Sequence, residues 1–176
     1  GELMALQWDD LNFKTGVLNV NKQVYDVRGE LQVSAPKTKN SIRKIVLPPA
    51  VVDVLREYKK SVDSRWMFPS PVKEDVPMTP GAVRRRLQLI LERAGCKRIR
   101  FHDLRHTAAT NMHQLTGDFY TVGQILGHSL KGIGIQLQLS NNLEAVTAQY
   151  VGVRMERKLY VLNIYHEAVL GSSEKT

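Results

Sequence analysis

Residues Arg100–His113 read RFHDLRHTAATNMH, which crowds His102, Arg105 and His106 into five positions. Two imidazoles and a guanidinium this close share one end of one element. Leu104, Ala108, Met112 and Leu115 recur behind them at helical spacing. A helix of about 104–115 follows, with Asp103 as its cap. His102 and Arg105 then stand at a helix N-terminus, where free N–H groups and the helix dipole favour an anion. Such a group can bind a phosphate, bind a metal or simply cap a helix.

Charge leans toward the first reading. The 176 residues carry a net charge of +8 and a pI near 9.7. Residues 84–105 hold eight basic side chains (Arg84, Arg85, Arg86, Arg93, Lys97, Arg98, Arg100, Arg105) against Glu92 and Asp103. Residues 106–176 balance at five against five. The excess therefore leads straight into the His/Arg cluster, as in proteins that bind a polyanion such as nucleic acid. Hydrophobic content of 43% and charge of 24% fit a folded domain. No apolar run approaches the ~20 residues of a membrane span. The lone Cys96 excludes an internal disulfide and fits a reducing compartment.

Outward from the cluster, the pattern predicts an α+β, mainly α-helical domain over residues 1–170, with a disordered tail at 171–176. Residues 1–8 read as the tail of a helix that begins before Gly1, so the chain is expected to be a fragment. Residues 17–48 predict a three-stranded antiparallel meander: Val17 to Tyr25, Leu31–Ser34 and Ile42–Leu47, closed by Pro48-Pro49. Its basic tip carries Lys37, Lys39, Arg43 and Lys44. Helices are expected at 50–62 and from Thr79-Pro80, a capping hydroxyl before a first-turn proline, to Gly95. On the second, Val83, Leu87, Leu91 and Ala94 share a face and leave Arg84–Arg86 to solvent. A short helix at 119–126 ends at Gly127, ahead of His128. Residues 131–142 alternate like a strand. A last helix at 154–170 has two apolar stripes, one through Met155, Leu159 and Leu162 and one through Val161 and Ile164. A helix apolar on two sides packs on two partners, and one of them can be a neighbouring subunit.

Two chemistries compete for the cluster. His102 and His106, four apart, resemble half of a zinc site, but no third ligand follows at a convincing spacing and Arg105 would sit beside the metal. The phosphate reading uses more of the chain. Arg105 offers a planar fork to two phosphate oxygens. His102 and His128 can donate or accept protons near neutrality. Lys37 can protonate a leaving oxygen, and Tyr150 can serve as a nucleophile. In-line positioning plus positive charge suffices for phosphoryl transfer, without an acidic metal cluster.

The motifs His102-Asp-Leu-Arg105-His106-Thr107, Leu126-Gly127-His128-Ser129 and Thr147-Ala-Gln-Tyr150, in this order, resemble the catalytic domain of tyrosine recombinases, the phage-integrase family. Glu2-Leu3 and Leu6-Gln-Trp8 look like that family's opening helix. Pro36-Lys37-Thr38-Lys39 ahead of Arg43 looks like its active-site hairpin. The resemblance covers nearly the whole chain. It implies a site-specific DNA recombinase or integrase that integrates or excises a mobile element. Tyr150 would form a 3′-phosphotyrosine, Lys37 would protonate the 5′ oxygen, His102 would assist, and Arg105 and His128 would stabilise the transition state. Glu2 and His106 would be supporting residues. Lys39, Arg43, Arg84, Arg85, Arg86, Lys97, Arg98 and Arg100 would contact DNA. Neither metal nor nucleotide cofactor is implied. The expected partners are double-stranded DNA and further copies of the chain, with helix 154–170 packed in trans. The expected place is the cytoplasm of a bacterial host.

Two departures stand out. The family's first catalytic arginine falls three places before Glu2, ahead of Gly1, so the chain as given is expected to be crippled. His128 and Tyr150 are also farther apart than the family's spacing, with 131–142 as the surplus; Tyr160 and Tyr165 are rival nucleophiles. A type IB-like topoisomerase and a non-catalytic DNA-binding domain are the alternatives.

Overall fold

The structure, a computed structural model, describes residues 1–36, 41–127 and 155–170. Lys37, Lys39, His128, Tyr150, the alternating segment 131–142 and the tail 171–176 lie outside the described residues.

Two 3₁₀ turns, Leu3–Ala5 and Trp8–Asp10, open the chain in place of the expected helix tail. Four strands follow: β1 Val17–Val20, β2 Gln23–Val27, β3 Glu30–Ser34 and β4 Arg43–Val46. They form two separate antiparallel pairs instead of a three-stranded meander, β1 with β4 and β2 with β3. The run from Val17 to Tyr25 is two strands because it breaks at Asn21-Lys22. Lys22 turns its ammonium to Asp10 (2.9 Å) and Gln7 (3.0 Å). The β2–β3 turn is Arg28-Gly29, with φ of +55° and +90°. Positive φ at both central residues is what a two-residue hairpin matching strand twist requires.

The helices among the described residues are α1 Pro49–Lys60, α2 Pro80–Arg93, α3 Phe101–Thr116, α4 Phe119–Leu126 and α5 Met155–Leu170. Thr79 caps α2 as expected, its hydroxyl accepting from Ala82 N at 3.1 Å. α3 starts earlier than expected. Arg100, not Asp103, is its N-cap, and Asp103 sits in the first turn with its carboxylate accepting from Arg100 N at 2.8 Å. An acidic side chain there satisfies a free N–H just as a capping box does.

Among the described residues, apolar side chains gather in three groups. Leu6, Trp8, Leu11, Leu18, Val20 and Met67 form one beneath β1 and β4. Met112, Val122, Ile125, Leu126 and Val161 form a second among α3, α4 and α5. Met4, Ala5 and Val24 form a third, against which Val83 of α2 packs. Ile45 of β4 touches the first two and so joins the sheet to the helices.

α5 is thus part of its own chain's core. Val161 is fully buried, Lys158 donates to Lys44 O on β4 at 2.9 Å, and Arg157 pairs with Asp118 at 2.7 Å. The buried stripe of α5 is covered within the chain described. Val169 and Leu170 at its end are exposed.

Candidate functional site

α3 delivers the His/Arg cluster. His102, Arg105 and His106 lie one helical turn apart or less and share a side. His102 and His106 are exposed, and their rings meet edge to face with centroids 4.9 Å apart. Asp103 points elsewhere, bound to Arg100 through Nη2–Oδ1 at 2.8 Å. Among the described residues, no three His, Cys, Asp or Glu side chains converge as metal ligands would.

Arg105 is half-buried and reaches α4, where its Nη2 donates to Leu126 O. A cation on the last carbonyls of a helix satisfies orphan acceptors and complements the dipole. Among the described residues Arg105 donates from Nη2. Gly127 follows at φ +75°, the left-handed conformation that stops the helix. Arg105 therefore anchors the very end of the helix that precedes the Leu-Gly-His motif.

Arg43 sits beside it. Its Nε donates to Ile125 O at 2.7 Å, one residue before Arg105's acceptor. Its Nη1 and Nη2 meet the two oxygens of Glu2, each at 2.9 Å. The Arg43 side chain is only 11% exposed. Its donors face inward, to Glu2, Ser41 and α4. The period of two along β4 signals this, because Arg43 shares a face with Ile45.

The charges interact. Burial pushes Arg105 below its ordinary pKa, Arg43 pushes the same way, and Glu2 opposes both. Burial raises Glu2, but the Arg43 hydrogen bond and charge, then Arg105, outweigh it and hold the carboxyl below its ordinary value. Lys158 is lowered, by burial first and then by Arg43. Arg43 and Arg105 thus both act on the Glu2 carboxylate, and Lys158 lies within the field of Arg43, so cations outnumber the acidic group here, a balance that favours an added anion. The pattern of apolar residues alone does not reveal Lys158. It lies one turn before Val161 on the buried stripe, and its ammonium reaches a strand carbonyl.

The remaining basic residues form an outer face. Arg84, Arg85, Arg86, Lys97, Arg98 and Arg100 are all exposed. Gln88 joins α2 to the loop before α3, donating to Ile99 O at 2.7 Å and accepting from Arg98 Nε at 3.1 Å. Gln88 thus ties α2, which carries Arg84–Arg86, to the loop that carries Lys97, Arg98 and Arg100 ahead of α3.

A mainly helical α+β domain with a partly buried cationic centre between two helix ends is the class that fold and site define. The chain belongs to the phage integrase family, whose sequence profile matches residues 1–133. It is similar to a tyrosine recombinase XerC-like protein of Caldanaerobacter subterraneus subsp. tengcongensis, 28% identical over 153 residues, covering 73% of this chain and 39% of that protein. It is also similar to the ICEBs1 integrase of Bacillus subtilis, 26% identical over 137 residues, covering 73% and 37%. The chain thus spans less than two-fifths of the length of these curated relatives. Solved structures share the fold. One is the Tn1549 transposon integrase in complex with transposon right end DNA: TM-score 0.59, 19% identity, 97% of this chain and 54% of that one. Another is the XerA recombinase: TM-score 0.59, 24% identity, 88% and 53%.

Proposed function

We propose that this chain is the catalytic domain of a site-specific DNA recombinase or integrase, which breaks and rejoins DNA through a covalent 3′-phosphotyrosine. The single observation that carries this is the meeting of α3 and α4: Arg105 holds the Leu126 carbonyl, two residues before His128 in sequence, with His102 on the same helix end. Family membership and this arrangement support the reading together.

In this reading the Tyr150 hydroxyl oxygen attacks a DNA phosphorus and loses its proton, and the bond from phosphorus to the 5′ oxygen breaks. Lys37 delivers a proton to that oxygen, and His102 takes part in the proton transfers. Arg105 and His128 neutralise charge on the non-bridging oxygens, which is where preorganised donors lower the barrier most. Attack by the 5′-hydroxyl of another strand reverses the step and joins new partners. The phosphodiester's energy stays in the phosphotyrosine, so the balance closes without a nucleotide. Glu2 and His106 support the site, and the outer basic face tracks the DNA backbone. The DNA and its enzyme share the cytoplasm of the host. Assembly into a homo-oligomer on DNA belongs to the same reading. Exchange of α5 between copies would have to replace its own-chain contacts like for like.

The test is a nicked suicide duplex that traps the covalent complex, run on a longer chain that includes the position three residues ahead of Glu2. The resemblance places a further catalytic arginine there. A covalent adduct that disappears in Tyr150→Phe is the expected result. An adduct surviving that change moves the nucleophile to Tyr160 or Tyr165. DNA binding with no adduct at all supports a non-catalytic domain instead. Relaxation of supercoils without strand exchange supports a topoisomerase.

A further inference from the structure

We propose that Arg43 is the positioning residue that assembles this site from behind, without touching DNA. The proposal rests on the recombinase reading above. One guanidinium holds three segments that are distant in sequence. Nε donates to Ile125 O at 2.7 Å; Nη1 donates to Glu2 Oε1 at 2.9 Å and Ser41 O at 3.0 Å; Nη2 donates to Glu2 Oε2 at 2.9 Å. Each of these segments adjoins a residue that the reaction needs. Ile125 and Leu126 lead into His128, and Leu126 is Arg105's acceptor. Ser41 comes four residues after Lys37. Glu2 stands in the segment where the family's first arginine would fall.

The chemistry of the pair argues against a DNA ligand at this position. Glu2 takes both Nη atoms of the fork and neutralises its charge, so Arg43 adds little attraction for a phosphate. Burial separates it further from the exposed basic face. Only a planar fork can serve carboxylate and carbonyls in fixed directions at once; lysine keeps the charge but presents a compact point donor. Substitution by lysine is therefore a lesion for a positioning residue and a mild change for a phosphate ligand.

The experiment uses the longer chain and compares Arg43→Lys, Arg43→Gln and Glu2→Gln. Three quantities are read: the single-turnover rate of covalent-complex formation at saturating DNA, the Kd for DNA across a salt series, and amide hydrogen exchange without DNA. The expected result is a rate loss on the order of 100-fold, the effect of displacing catalytic groups by about 1 Å, that lysine does not rescue. Kd stays within about twofold and its salt slope is unchanged. Exchange quickens at residues 41–46 and 122–127. Glu2→Gln slows the reaction in the same way, and the double variant with Arg43→Lys is no worse than Arg43→Lys alone, as coupled groups require. Full cleavage in Arg43→Lys overturns the proposal. So does a weakened Kd whose salt slope falls by about one, the sign that Arg43 had bound a phosphate. If the unsubstituted protein forms no covalent complex, the recombinase reading fails, and the exchange data still decide whether Arg43 ties these segments together.

Discussion

Arg43 and Glu2 meet fork to fork, with each terminal guanidinium nitrogen 2.9 Å from one carboxylate oxygen. The pair joins the first residues of the chain to the fourth strand, and through Arg43 to the end of α4. A bidentate ion pair with one partner nearly buried is stronger and more directional than a surface pair.

The pair makes stability depend on pH. Glu2's carboxyl lies below its ordinary value of 4.5 in the folded protein. A depressed carboxylate stabilises the fold above its unfolded pKa, and that contribution is lost as pH falls through the folded pKa. Glu2→Gln is expected to cost about 1–2 kcal/mol near neutrality, less than a fully buried pair because Glu2 is 30% exposed. The difference from the unsubstituted chain should shrink below the ordinary carboxyl pKa and close once Glu2 is protonated. Urea unfolding at neutral and at acidic pH measures it; an equal difference at both would mean the carboxylate is not the source.

Val161 is the centre of α5's docking and is 0% exposed. Val161→Ala should lower stability by about 1.5–3 kcal/mol, through reduced burial plus a cavity. Removal of α5 would uncover Met112, Val122 and Ile125 together. A deletion lacking residues 155–170 should therefore bind a hydrophobic dye and unfold at much lower urea. Unchanged stability would show that α5 is not seated in its own chain in solution.

Asp118 fastens the other end of α4. Its carboxylate accepts from Thr121 N at 2.9 Å, Thr121 Oγ1 at 2.8 Å and Arg157 Nε at 2.7 Å. Asp118→Ala removes a helix cap and an inter-helix ion pair, and should cost about 2 kcal/mol. Asp118→Asn keeps most of the cap and should cost under about 1 kcal/mol. Equal destabilisation in the two variants would place the energy in the ion pair rather than in the cap.

The outer basic face should be read by salt. Alanine at Arg84, Arg85, Arg86, Lys97 or Arg98 should weaken DNA binding whatever the sequence. Each side chain that neutralises a phosphate should, once removed, reduce the slope of log K against log salt by roughly 0.9. Arg100→Ala should matter less, since Arg100 is paired with Asp103. Titrations at several salt concentrations check this, and slopes unchanged across the set would remove this face from the DNA interface.

Helix limits are legible in the sequence because they depend on a few local residues. Thr79-Pro80 starts α2, and Gly127 stops α4 where expected. The start of α3 is less so, since Asp103 can serve as a cap or within the first turn, and Arg100's backbone N–H decides between them. The strand count differs at Asn21-Lys22, because continuity of an extended run depends on which partner each half finds. For Arg43 the period of two along β4 gives its face, but its partner Glu2, 41 positions away, is known only from the packed chain. A basic residue near a basic turn looks like surface until its strand face and its acidic partner are known.

The sequence by itself determined the helical character of the domain, the basic surface leading to α3 and the motif order that marks the family. These rest on local spacing and residue type. Tertiary structure alone decided that Glu2 meets Arg43, that Arg43 and Arg105 hold adjacent carbonyls of α4, and that Lys158 is drawn into the core. Each of those pairings joins residues at least 21 positions apart. Hydrogen-bond direction and burial, which only the packed chain fixes, select one partner among many of the same charge.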